Sequence, residues 1–69
     1  MSYALIFDKT FLDGTLKGLT FETVITYPTI DRAYEVLRQM KNEPVFKTIE
    51  NTTALSTNAR VVLVDEVRG

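Results

Sequence analysis

The side chains of this 69-residue sequence that could do chemistry are carboxylates, lysines, tyrosines and hydroxyls, for it has neither histidine nor cysteine. Without imidazole there is no base whose ordinary pKa lies near neutrality, and without a thiol there is no thiolate nucleophile. Ser-His-Asp and Cys-His arrangements are therefore excluded, as are disulfides and zinc sites of the thiolate or imidazole kind. A carboxylate pair could still serve glycoside hydrolysis or hold magnesium. The candidates are Asp8, Asp13, Asp65 and Glu66, and Asp8 meets Asp65 only if the first and last strands pair. A plainer reading gives Asp13 to a turn with Gly14 and leaves the others solvating strand ends. The expectation is a protein without enzymatic activity, cofactor or metal.

Two further patterns invite a functional reading. Gly14-Thr15-Leu16-Lys17-Gly18 has glycines and a lysine, but not the Gly-Lys-Ser/Thr order or the strand–loop–helix setting of a phosphate loop. A turn or bulge inside a hairpin accounts for both glycines. The aromatics Tyr3, Phe7, Phe11, Phe21, Tyr27, Tyr34 and Phe46 could stack bases on a sheet, yet only Lys9 and Lys17 lie near them, and core packing explains them better. Tyr3, Tyr27 and Tyr34 fall at element edges, where a phenol can reach a partner, and tyrosine is enriched in binding hot spots. With Arg32, Glu35 and Arg38 on the charged side of a helix, they form the expected binding set.

Those residues need elements to position them. Bulky residues fill 3–11, Asp13-Gly14 signals a turn, and 19–27 alternates Leu19, Phe21, Ile25 and Tyr27 against Thr20, Glu22 and Thr26. Period-2 alternation marks a half-buried antiparallel strand, so the segment reads as a hairpin. Pro28 ends it and Thr29 is placed to cap a helix over 30–41. Ile30, Ala33, Tyr34, Val36, Leu37 and Met40 share an arc of about 160° at helical spacing. Asn42 in a left-handed conformation, followed by Pro44, would stop the helix. A mixed edge strand is expected at 45–50, a threonine-rich loop or irregular hairpin tip at 51–58, and a strand at 60–67.

The fold expected is α+β: one domain over 1–69, in the order β-β-α-β-β, an antiparallel four-stranded sheet with one helix packed on one face. Ala4-Leu5-Ile6-Phe7 and Val61-Val62-Leu63-Val64 are apolar on both faces, as centrally placed strands are. One helix covers one face. A chain this short also has a thin stability margin, for which association is a common remedy. Both arguments point to a homodimer.

Eight basic residues scattered among nine acidic ones leave no basic face for phosphates, so nucleic acid is not the expected partner. No apolar run approaches the roughly 20 residues of a membrane span, and residues 1–7 lack the positive leader of a secretory signal. A cytoplasmic protein with no membrane association is expected.

The stretch Thr10-Phe11-Leu12-Asp13-Gly14-Thr15-Leu16-Lys17-Gly18-Leu19-Thr20 resembles a pattern in small bacteriophage and prophage accessory proteins: an aromatic, a glycine, then Leu-Lys-Gly-Leu-Thr. The resemblance carries no catalytic residues across. It implies a phage-encoded modulator that binds and inhibits or redirects a host protein, defence systems included, in the host cytoplasm. The leading expectation is thus a small protein-interaction module with an unidentified protein partner. The alternatives are an oligomer binding a nucleotide-type ligand through Lys9, Lys17 or Arg60, and a nucleic-acid-binding sheet.

Overall fold

The computed structural model describes residues 2–64. The elements are β1 (Ser2–Phe11), β2 (Thr20–Tyr27), α1 (Ile30–Asn42), β3 (Val45–Lys47) and β4 (Thr53–Val64). The strands form one antiparallel sheet in the order β2-β1-β4-β3, with the helix on one face. This is the expected α+β architecture. The two strands with apolar residues on both faces, β1 and β4, are the central ones, and β3 is an edge.

Register fixes what each face carries. Leu5 lies opposite Ile25 and Val61, Tyr3 opposite Tyr27 and Leu63, and Phe11 opposite Ala54. These residues share the face covered by α1, where Leu5 and Ala33 are completely buried. Phe7 meets Phe46 edge-on at 6.2 Å and Phe11 meets Phe21 edge-on at 6.1 Å, arrangements that suit the ring quadrupoles. The opposite face carries Ala4, Ile6, Asp8 and Thr10 from β1, with Glu22, Val24 and Thr26 alongside from β2 and Leu55, Thr57, Arg60 and Val62 from β4.

β4 keeps this sorting only because it is bulged. Ile6 pairs with Arg60 but Asp8 pairs with Thr57, so Asn58 and Ala59 together oppose Phe7. Asn58 has a φ of 55°, the left-handed region that asparagine tolerates better than most residues. An unbroken alternation from Ala54 and Ser56 would carry Arg60 to the helix side. The extra residue returns Val61 to the core and leaves Arg60 outside.

Three boundaries differ from the expectation. The third strand stops at Lys47, not Glu50, because Thr48–Thr52 folds into the β3–β4 turn: the Thr48 N–H donates to the Thr52 carbonyl at 2.8 Å, and Asn51 takes a φ of 63°. Of the segment 51–58 only 51 and 52 belong to the hairpin tip; the rest is strand, since β4 begins at Thr53. Threonine is a good strand former, and this half of β4 is paired with β1 on one side and with β3 on the other. Residues 65–67 of the expected last strand, with Asp65 and Glu66, lie outside the described residues. Finally, Asn42 does not adopt a left-handed cap. It is the last helical residue, and Glu43, non-helical at φ −133° and ψ 80°, caps the helix by donating its N–H to the Gln39 carbonyl.

Candidate interaction surface

Of the four candidate carboxylates, Asp8 and Asp13 serve structure, and Asp65 and Glu66 lie outside the described residues. Asp13 Oδ1 accepts the Thr53 N–H at 2.8 Å, tying the β1–β2 loop to the start of β4. That backbone hydrogen bond holds the Asp13 carboxyl below its ordinary value of 3.8. Asp8 Oδ2 accepts from Asn58 Nδ2 at 2.9 Å and so pins the bulge. No cluster of acidic side chains able to hold a metal occurs among the described residues. The glycines turn the hairpin, with φ of 79° at Gly14 and 88° at Gly18.

The expected binding set divides in two. Tyr3 and Tyr27 face each other across β1 and β2, half-buried on the helix side, with Leu63 on the far side of Tyr3. On α1, Tyr34 is 47% exposed. Arg32 Nη1 meets Glu35 Oε1 at 2.9 Å with both side chains more than half exposed, an ion pair of small energetic value. Arg38 is exposed further along the same helix. The arginine–glutamate pair is therefore a solvated surface feature.

The cations of the ligand-binding alternative do not converge. Lys9 lies on the helix side, its Nζ 5.1 Å from the centroid of the Phe11 ring. Arg60 lies on the other face, donating to Glu22 Oε2 and to the Asn58 carbonyl. Beside Lys9 an open cleft of about 300 Å³ is lined by Phe7, Thr23, Ile25, Phe46 and Lys47, among others.

The face away from the helix is two-part. Toward the Thr10 end it is polar: Asp8 with Asn58, Glu22 with Arg60, and Thr10 hydrogen-bonded to Thr20 at 2.8 Å. Toward the Ser2 end it is mainly apolar: Val62, 38% exposed, lies beside Ala4 and Val24, 55% exposed, beside Ile6, with Thr26 on the other side of Ala4 and Arg60 on the other side of Ile6. No aromatic residue of the paired strands lies on this face, because Tyr3, Phe7, Phe11, Phe21, Tyr27 and Phe46 all take helix-side positions. A base-stacking platform is thus not what it offers.

Signals for this surface were present in the doubly apolar strands. Its division into polar and apolar halves was not, because that depends on the bulge at Asn58. Comparison with protein-family models, with curated proteins and with solved structures finds no match to this chain.

Proposed function

We propose that this chain is a non-enzymatic protein-interaction module that associates with a second copy of itself and with a protein partner. The observation that carries the reading is the apolar half-face: Val24 and Val62 stay exposed beside Ala4 and Ile6 on a face the helix does not cover. Exposed apolar area rimmed by polar residues is the usual character of a contact surface. Asp13 and Asp8, engaged in holding a loop and a bulge, support a role without catalysis. The likeness of 10–20 to small phage accessory proteins adds a host protein as the kind of partner and the host cytoplasm as the place.

Val62→Glu tests the reading, since it places a charge in the half-face at a partly exposed position. Wild-type protein should sediment above its 7.8 kDa chain mass, or carry a stoichiometric partner out of a bacterial lysate. Val62→Glu should recover less partner while keeping its far-ultraviolet spectrum. A monomeric, partnerless wild type counts against the proposal.

The cleft beside Lys9 favours a second reading, a small ligand whose anionic group lies toward Lys9 and Lys47 and away from Glu50, which also lines the cleft. A thermal-shift screen with nucleotides decides it, because ligand at 100 times its dissociation constant adds about 2.7 kcal/mol of stability.

A further inference from the structure

The two edges of this sheet are built differently. β3 has three residues, Pro44 just before it and Lys47 at its end, and a tight turn follows; shortness, proline and lysine are the usual means of blunting an edge. β2 has eight residues, of which six are exposed, and contains no lysine or bulge, and its flanking proline, Pro28, comes only after its last residue. Its one charge, Glu22, is engaged by Arg60 at 3.4 Å. Phe21 and Ile25, 45% and 38% exposed, stand on one side of it, and Val24, 55% exposed, on the other.

The hydrogen-bond pattern shows which backbone groups of β2 point away from the sheet. Phe11 donates to the Leu19 carbonyl and accepts from the Gly18 N–H, whereas the Leu12 N–H turns to Thr53 of β4. Odd residues of β1 therefore bond toward β2, and they pair with the odd residues Phe21, Thr23, Ile25 and Tyr27. The even residues Thr20, Glu22, Val24 and Thr26 direct their N–H and C=O groups outward. That outward set is symmetric about Thr23.

We infer that β2 pairs antiparallel with β2 of a second copy about a two-fold axis at Thr23, joining the two sheets into one. The inference rests on the self-association proposed above and places it at the β2 edge, which leaves the apolar half-face, Val62 included, to the protein partner. In this register Thr20 exchanges hydrogen bonds with Thr26 of the second copy, and Glu22 with Val24. Phe21 falls opposite Ile25, an aromatic–β-branched cross-strand pair formed twice. A register centred on Glu22 would set two carboxylates against each other, and one centred on Val24 would leave Thr20 without a partner. Because the β3 edge is blunted, growth stops at two copies, a closed isologous contact.

Two variants test this. Val24→Pro removes an N–H that bonds nothing among the described residues, a position where an edge strand tolerates proline. Thr23→Cys introduces the only thiol into a cysteine-free chain, so any disulfide must join two copies. Directly opposed residues of a non-hydrogen-bonded antiparallel pair have Cα atoms about 4.5 Å apart, within disulfide reach.

Sedimentation of the wild type should give about twice 7.8 kDa. Val24→Pro should return the mass to one chain with its far-ultraviolet spectrum retained. Thr23→Cys should become a covalent dimer under mild oxidation in native buffer and stay monomeric when oxidised in denaturant. If Val24→Pro does not fold, the cysteine result decides alone. A wild-type monomer overturns this inference together with the self-association it rests on. A dimer in which Thr23→Cys fails to cross-link, and which Val62→Glu dissociates, overturns the edge contact alone and leaves the sheet-face reading standing. A β2 occupied by a strand of a different protein, with no self-pairing, likewise overturns it.

Discussion

At the scale of single residues, backbone placement counts for more than reactivity. Asp13 ties its loop to β4 through the Thr53 N–H, and that bond depresses its pKa below 3.8. A group with a depressed folded-state pKa contributes stability that is present above the unfolded value and is lost as pH falls through the folded one. The Asp13→Asn variant should therefore melt below wild type at pH 7, with the gap closing below pH 3.8; melts across that range check it. The two hairpin glycines make a sharper comparison. Both have positive φ, but a Cβ at Gly14 would lie 2.9 Å from the Thr52 side-chain methyl, whereas one at Gly18 meets nothing within 4 Å. Gly18→Ala should cost only the left-handed strain, about 1–2 kcal/mol, and Gly14→Ala measurably more, read from denaturant midpoints.

At the scale of elements, the helix shows how much local pattern can specify. Thr29 has the extended conformation of an N-cap, and its Oγ1 accepts the Arg32 N–H at 3.3 Å. Replacing it by alanine should cost about 1 kcal/mol of stability, measurable by chemical denaturation. Such signals involve near neighbours and are legible in the sequence: a proline closing a strand, a threonine before an apolar stripe, a glycine in a turn. The first hairpin and the helix were readable for that reason. The second hairpin was not, because β4 earns its first half from its partners. Thr53, Ser56 and Asn58 look like loop residues until Pro44, Leu12 and Asp8 supply their hydrogen bonds. The interaction surface shares this limit. Doubly apolar strands revealed an uncovered face, yet its apolar half and the outward-facing backbone of β2 follow only from the register.

At the scale of the whole molecule, the core is small. The buried apolar residues are Ala4, Leu5, Phe7, Phe11, Ala33 and Ala54, and Leu5 is the only large side chain among the described residues that is completely enclosed. Domains of this length are stable by roughly 3–10 kcal/mol. Truncating a buried leucine to alanine costs about 3–5 kcal/mol, so Leu5→Ala alone should bring the isolated chain close to unfolding. Association changes that outcome by mass action, because whatever binds only the folded form raises its stability. Each tenfold rise in partner concentration above the dissociation constant adds about 1.4 kcal/mol. For a chain that pairs with itself, the partner concentration is its own. Leu5→Ala should then be largely unfolded when dilute and regain helix and strand signal on concentration. The wild-type melting temperature should also climb over a roughly hundredfold range, as circular dichroism melts at several concentrations can follow. Melting temperatures independent of concentration in both proteins would mean that the six-residue core sustains the fold alone. The exposed half-face and the open β2 edge would then have to be explained without a second copy.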